Sequence, residues 1–132
     1  MRVSRKTENY LSLAKRVAQQ SHHNTFKHGA VLVKGGSVIN TAFNKDQHNR
    51  FGNRFRNVKV CGHATHHAEL GAILGLDKNL TSGSTLYVVR VNREGIFRLS
   101  KPCEMCHNIL KFCGIKKVVY TTGKNSIAKI KL

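Results

Sequence analysis

The chain has 132 residues, and its 23 Lys and Arg against 6 Asp and Glu give a net charge of +17 with His neutral. That length suits one domain with one core, and a 40% hydrophobic share supports a packed interior rather than a disordered tail. One Pro and 11 Gly exclude collagen-like and proline-rich classes, and no apolar run is long enough to form a membrane-spanning helix.

Met1-Arg2-Val3-Ser4-Arg5-Lys6 leads into an amphipathic segment instead of a secretory h-region, so an intracellular, reducing setting is expected. Residues 4–21 read as a helix: Tyr10, Leu11, Ala14, Val17 and Ala18 recur at three- and four-residue spacing, with Lys6, Lys15, Arg16, Gln19 and Gln20 elsewhere. Gly29–Val33 and Ser37–Ala42 flank Lys34-Gly35-Gly36 and read as a β-hairpin. Residues 44–66 show no apolar periodicity and read as a long basic loop, which in a compact domain usually has a function.

His67–Leu76 has a helical pattern, weakened by Gly71 and Gly75. Thr85–Val91 is a buried-strand run. Pro102–Cys113 reads as a helix with Pro near its first position and Gly114 as its stop. Lys117–Thr121 is a further strand, with Lys116 and Lys117 on a solvated strand edge. Gly123-Lys124-Asn125 is a turn, and too few residues follow for a crossover helix, so an antiparallel final hairpin is expected. The order α-ββ-α-β-α-β-β predicts one three-layer α/β/α domain over residues 1–132 with a mixed, five-stranded sheet.

There are four cysteines, Cys61, Cys103, Cys106 and Cys113. In a reducing compartment such residues are more often metal ligands or catalytic groups than disulfides. Cys103-Glu104-Met105-Cys106 alone fits a zinc half-site or a redox pair, and its late position after Pro102 disfavours the redox reading. If the helices opening at His67 and at Pro102 pack on one sheet face, His67, Cys103 and Cys106 converge. One imidazole and two thiolates leave a fourth tetrahedral position for water, the pattern of a catalytic zinc. Helix N-termini also favour thiolates. Glu69, two residues past His67, is placed to move protons without binding the metal.

His67-Ala68-Glu69 followed by Pro102-Cys103-Glu104-Met105-Cys106 resembles the cytidine/deoxycytidylate deaminase superfamily, over about residues 26–121. His28–Val33 looks like the family's first core strand. The resemblance implies that Asn44 holds the sugar or base, that the Ala68 backbone meets the base edge, and that one catalytic Zn2+ activates water. Relatives commonly assemble, which implies a homo-oligomer. A His at the first ligand position looks like the deoxycytidylate, polynucleotide-cytosine and tRNA-adenosine branches. No second zinc is expected at Cys61, His63 and His66, because the adjacent His66 and His67 do not easily serve one ion. Cys113 reads as a small core residue.

So basic a surface favours polyanions. Lys45, Arg50, Arg54, Arg56 and Lys59, with Phe51 and Phe55 between them, supply phosphate contacts and stacking surfaces just before His67. The expectation is therefore deamination of cytosine in single-stranded DNA or RNA, with no membrane partner. The alternatives are a free deoxycytidine nucleotide (dCMP or dCTP), adenosine in RNA, or an inert zinc-stabilised nucleic-acid-binding module. Glu69 argues against the last, since a purely structural zinc has no use for it.

Overall fold

The computed structural model describes residues 4–21, 27–48, 65–66, 68–73 and 75–132. Helix α1 (Arg5–Ala18) opens on Ser4, whose hydroxyl accepts the Thr7 N–H at 3.1 Å, satisfying one of the donors that a helix start leaves open. Its buried stripe is Leu11, Ala14, Val17 and Ala18, as the spacing predicts. The stripe lies on β1 (Lys27–Lys34). The approach requires glycine at position 29: a Cβ there would stand 2.2 Å from the Ala14 carbonyl oxygen and 2.7 Å from the Ala18 nitrogen.

β1 turns through Gly35 and Gly36 into the antiparallel β2 (Ser37–Phe43), the expected hairpin. The expected loop 44–66 departs from its reading at both ends. β3 (Lys45–His48) pairs antiparallel with β4 (Thr65–His66), Lys45 opposite His66 and His48 opposite Thr65. The ladder is made by backbone groups, so side-chain periodicity did not announce it; residues 49–64 lie outside the described residues.

Helix α2 (Ala68–Ile73) stops short of Leu76, and the single turn α3 (Lys78–Thr81) follows. β5 (Thr85–Val91) pairs antiparallel with β1, and the two-residue β6 (Phe97–Arg98) pairs with its end. Helix α4 (Glu104–Phe112) leads to β7 (Lys117–Gly123) and β8 (Ser126–Lys131). β5 and β7 are parallel, and β7 and β8 form the expected antiparallel hairpin. The main sheet runs β2-β1-β5-β7-β8, with β6 as a sixth strand beside β5. Lys117 is therefore half-buried on an interior strand rather than on a strand edge.

Strand alternation divides the core into two layers. Val31, Val33, Tyr87, Val89, Val91 and Val119 face α1. Ala30, Leu32, Leu86, Val88, Val118 and Tyr120 face the other side, packed with Ala68, Ala72 and Ile73 of α2 and Cys106, Ile109 and Leu110 of α4. This is the three-layer α/β/α arrangement. Helices α2 and α4 touch on their shared face. α2 is tied to β2 by Asn40, whose Nδ2 donates to the Ala72 carbonyl at 3.1 Å. Among the described residues, no helix is long and apolar enough to cross a membrane.

Candidate active site

The site is built where β5 ends. Asn92 makes the turn: its side-chain oxygen accepts the N–H groups of Glu94 and Ile96, each at 3.0 Å, a local bond that Asn favours. The chain returns as β6 and reaches Ser100, which is 5% exposed. The Ser100 hydroxyl lies 2.9 Å from the Val88 carbonyl and accepts the Thr121 N–H at 2.9 Å. The Ser100 N–H donates to the Thr121 carbonyl at 2.8 Å, and the Thr121 hydroxyl donates to the Arg98 carbonyl at 2.6 Å. Ser100 thus fills the place where the parallel strands β5 and β7 part. Three residues later the chain delivers Cys103.

Helix α4 starts at Glu104, two residues later than the expected start at Pro102. Cys103 is the N-cap, in extended conformation, and its carbonyl accepts the His107 N–H at 2.8 Å. Pro102 stands outside, where its missing N–H costs nothing. At the other end Gly114 has φ +82°. The Gly114 N–H bonds to the Lys111 carbonyl and the Ile115 N–H to the Leu110 carbonyl, each at 3.1 Å, the paired bonds of a Schellman stop. Both ends of the helix carrying the thiols are thereby fixed.

Ala68 is fully buried and Glu69 is 5% exposed; Cys106 is 1% exposed, and Cys103 is half-buried. The structure brings Glu69, Cys103 and Cys106 together across the α2–α4 contact. A hydrogen bond with Cys103, burial, and then the Glu69 charge push the Cys106 thiol well above its ordinary value. That direction opposes the helix-dipole expectation, because Cys106 lies a turn inside the helix among other electron-rich groups. Two thiols beside a carboxylate fit a thiophilic divalent cation, which offsets the crowding of negative charge when the thiols ionise. Cys113 is half-buried against the same core and its thiol is raised by burial, consistent with a packing role.

Asn44 follows β2, and its Oδ1 accepts the His28 N–H at 3.0 Å while its own N–H bonds back to the His28 carbonyl at 3.3 Å. The side chain is thereby oriented at the end of the sheet where β5 also ends. His67, Arg50, Phe51, Arg54, Phe55, Arg56, Lys59, Cys61 and His63 lie outside the described residues, as do the side chains of Lys45 and His66. Among the described residues, no group of three or more His, Cys, Asp or Glu is arranged to hold a metal ion. A cavity of about 330 Å³ between the end of α1, β2 and Gly71 is lined by neither the thiols nor Glu69.

Sequence reasoning missed Ser100, Thr121 and the β5–β6 hairpin. A two-residue strand has no periodicity to read; the signal available was the turn chemistry of Asn92 and Gly95.

Residues 4–122 match the cytidine and deoxycytidylate deaminase zinc-binding region. Over 127 residues the chain is 32% identical to the deoxycytidylate deaminase of Mycobacterium phage D29, spanning 86% of this chain and 91% of that protein. A crystal structure of the dCMP deaminase from cyanophage S-TIM5, in complex with dCMP and dUMP, superposes with a TM-score of 0.62 at 25% identity, covering 92% of this chain and 85% of that one. Acinetobacter baumannii RibD shares the fold, with a TM-score of 0.55 at 21% identity over 89% of this chain and 28% of that one.

Proposed function

Because this chain belongs to the cytidine and deoxycytidylate deaminase family of zinc-dependent hydrolytic deaminases, we propose that it deaminates a free deoxycytidine nucleotide, with dCMP as the substrate and dUMP and ammonia as products. The observation that carries this reading is the likeness to the phage D29 enzyme over nearly its whole length, supported by that to the cyanophage enzyme, whose structure holds dCMP and dUMP. These similarities favour a single nucleotide over the single-stranded polymer suggested by the +17 charge.

His67, Cys103 and Cys106 would hold the zinc ion, which when bound would supply an acidified water at neutral pH. Glu69 would carry a proton from the attacking water to the base while the C4–O bond forms and the C4–N bond breaks, so that the amino group leaves as ammonia. Burial of Glu69 and Ala68 keeps bulk water from competing for those protons. The Ala68 backbone meets the base edge, and Asn44, braced on His28, holds the sugar. Ammonia release from dCMP by the zinc-loaded chain tests the reading.

A further inference from the structure

Arg90 and Arg98 stand directly opposite each other on β5 and β6. Leu86 and Val88 of β5 point into the layer under α2 and α4; Arg90, two residues further, shares that face, and so does its cross-strand partner Arg98. From the other side His28 stands opposite Arg90, and Asn44 bonds to His28. A row of Asn44, just past the end of β2, His28 on β1, Arg90 on β5 and Arg98 on β6 therefore crosses this end of the sheet. It lies on the face of the sheet that carries Glu69, Cys103 and Cys106, at the end of β5 from which the chain runs on to Cys103. Ligands of open α/β sheets bind beyond the carboxyl ends of the strands.

Two guanidinium groups facing each other across a strand pair repel. Burial, and after it the Arg98 charge, lowers the Arg90 pKa from its ordinary value. Arg90 is only partly exposed. Arg98 does not drift away from it, because its backbone is held by the Thr121 hydroxyl. A pair so fixed is preorganised for a dianion placed between the two forks, and the planar guanidinium matches phosphate oxygens two at a time.

We propose that Arg90 and Arg98 grip the 5′-phosphate of the nucleotide whose base is deaminated at Glu69, Cys103 and Cys106. This rests on the nucleotide reading above, and it makes the β5–β6 hairpin the element that selects nucleotide over nucleoside.

The test is calorimetric binding of dUMP and of deoxyuridine to the zinc-loaded chain and to Arg98→Gln, Arg98→Lys and the double variant Arg90→Gln/Arg98→Gln, each checked for a native thermal transition. The wild type is expected to prefer dUMP. Each Arg→Gln change should cut that preference by about ten- to a hundredfold, the worth of a hydrogen bond to a charged group, and Arg98→Lys should restore part of it. Arg98 is exposed on a short strand, so the single variant does not depend on the core. A preference for dUMP that survives in Arg98→Gln, or dUMP and deoxyuridine weakened equally, overturns the proposal. Failure of the nucleotide reading looks different: the wild type itself then shows no dCMP turnover and no preference for dUMP.

Discussion

The Ser100 hydroxyl lies 2.8 Å from the Thr121 hydroxyl, joining the loop that delivers Cys103 to the strand that follows α4. Both residues are buried, and the Val88 carbonyl, the Thr121 N–H and the Arg98 carbonyl all depend on the pair. Removing the hydroxyl leaves buried polar groups without their partner. Ser100→Ala should therefore lower unfolding stability by about 1–3 kcal/mol in denaturant titration, and should also weaken zinc retention against a chelator. Unchanged stability would show that the wedge is incidental.

Gly29 gives a second test, of the α1–β1 contact. A methyl group there would meet the Ala14 carbonyl and the Ala18 nitrogen well inside contact distance, and backbone yields less than a side chain end. Gly29→Ala is expected to cost about 1–3 kcal/mol, read from the denaturation midpoint. Since α1 lies on the face away from the thiols, the folded fraction should keep its zinc.

Much of this was legible in the residues, for a physical reason. The stripe of α1, the Gly35-Gly36 hairpin and the strands 85–91 and 117–121 follow from apolar periodicity and turn chemistry. His67-Ala68-Glu69 and Pro102-Cys103-Glu104-Met105-Cys106 are legible because metal chemistry constrains residue type and spacing together. Net charge served less well. It suggested a polymer, yet the proposed zinc ligation by His67, Cys103 and Cys106 uses none of it, and one phosphate needs only a few cations. What the sequence hid is backbone pairing without a side-chain signature: β3 with β4, and β6 beside β5, which alone places Arg98 opposite Arg90.

Glu69 is the third test. Glu69→Gln keeps the shape and removes the proton carrier. Turnover should fall by about 10²- to 10⁴-fold while zinc content, measured by atomic absorption, stays at the wild-type level. Loss of the metal along with activity would move Glu69 from proton transfer to ligation.

Metal removal separates the thiols from the rest of the core. Chelation should abolish turnover, and zinc alone should restore it. Cys106→Ser should bind zinc at well below one equivalent, because a serine hydroxyl does not ionise to match a thiolate. Cys113→Ser, two turns along the same helix, should bind zinc like the wild type. Equal zinc loss in both variants would indicate that helix packing, rather than ligation, is being read.

The most direct measurement is a parallel assay of the zinc-loaded chain on dCMP, dCTP, deoxycytidine and a cytosine-containing single-stranded oligonucleotide, with uracil products resolved by chromatography. Rapid dUMP formation from dCMP is expected, with slower turnover of deoxycytidine and none in the oligonucleotide. Uracil appearing in the oligonucleotide while dCMP is left intact would contradict the nucleotide reading.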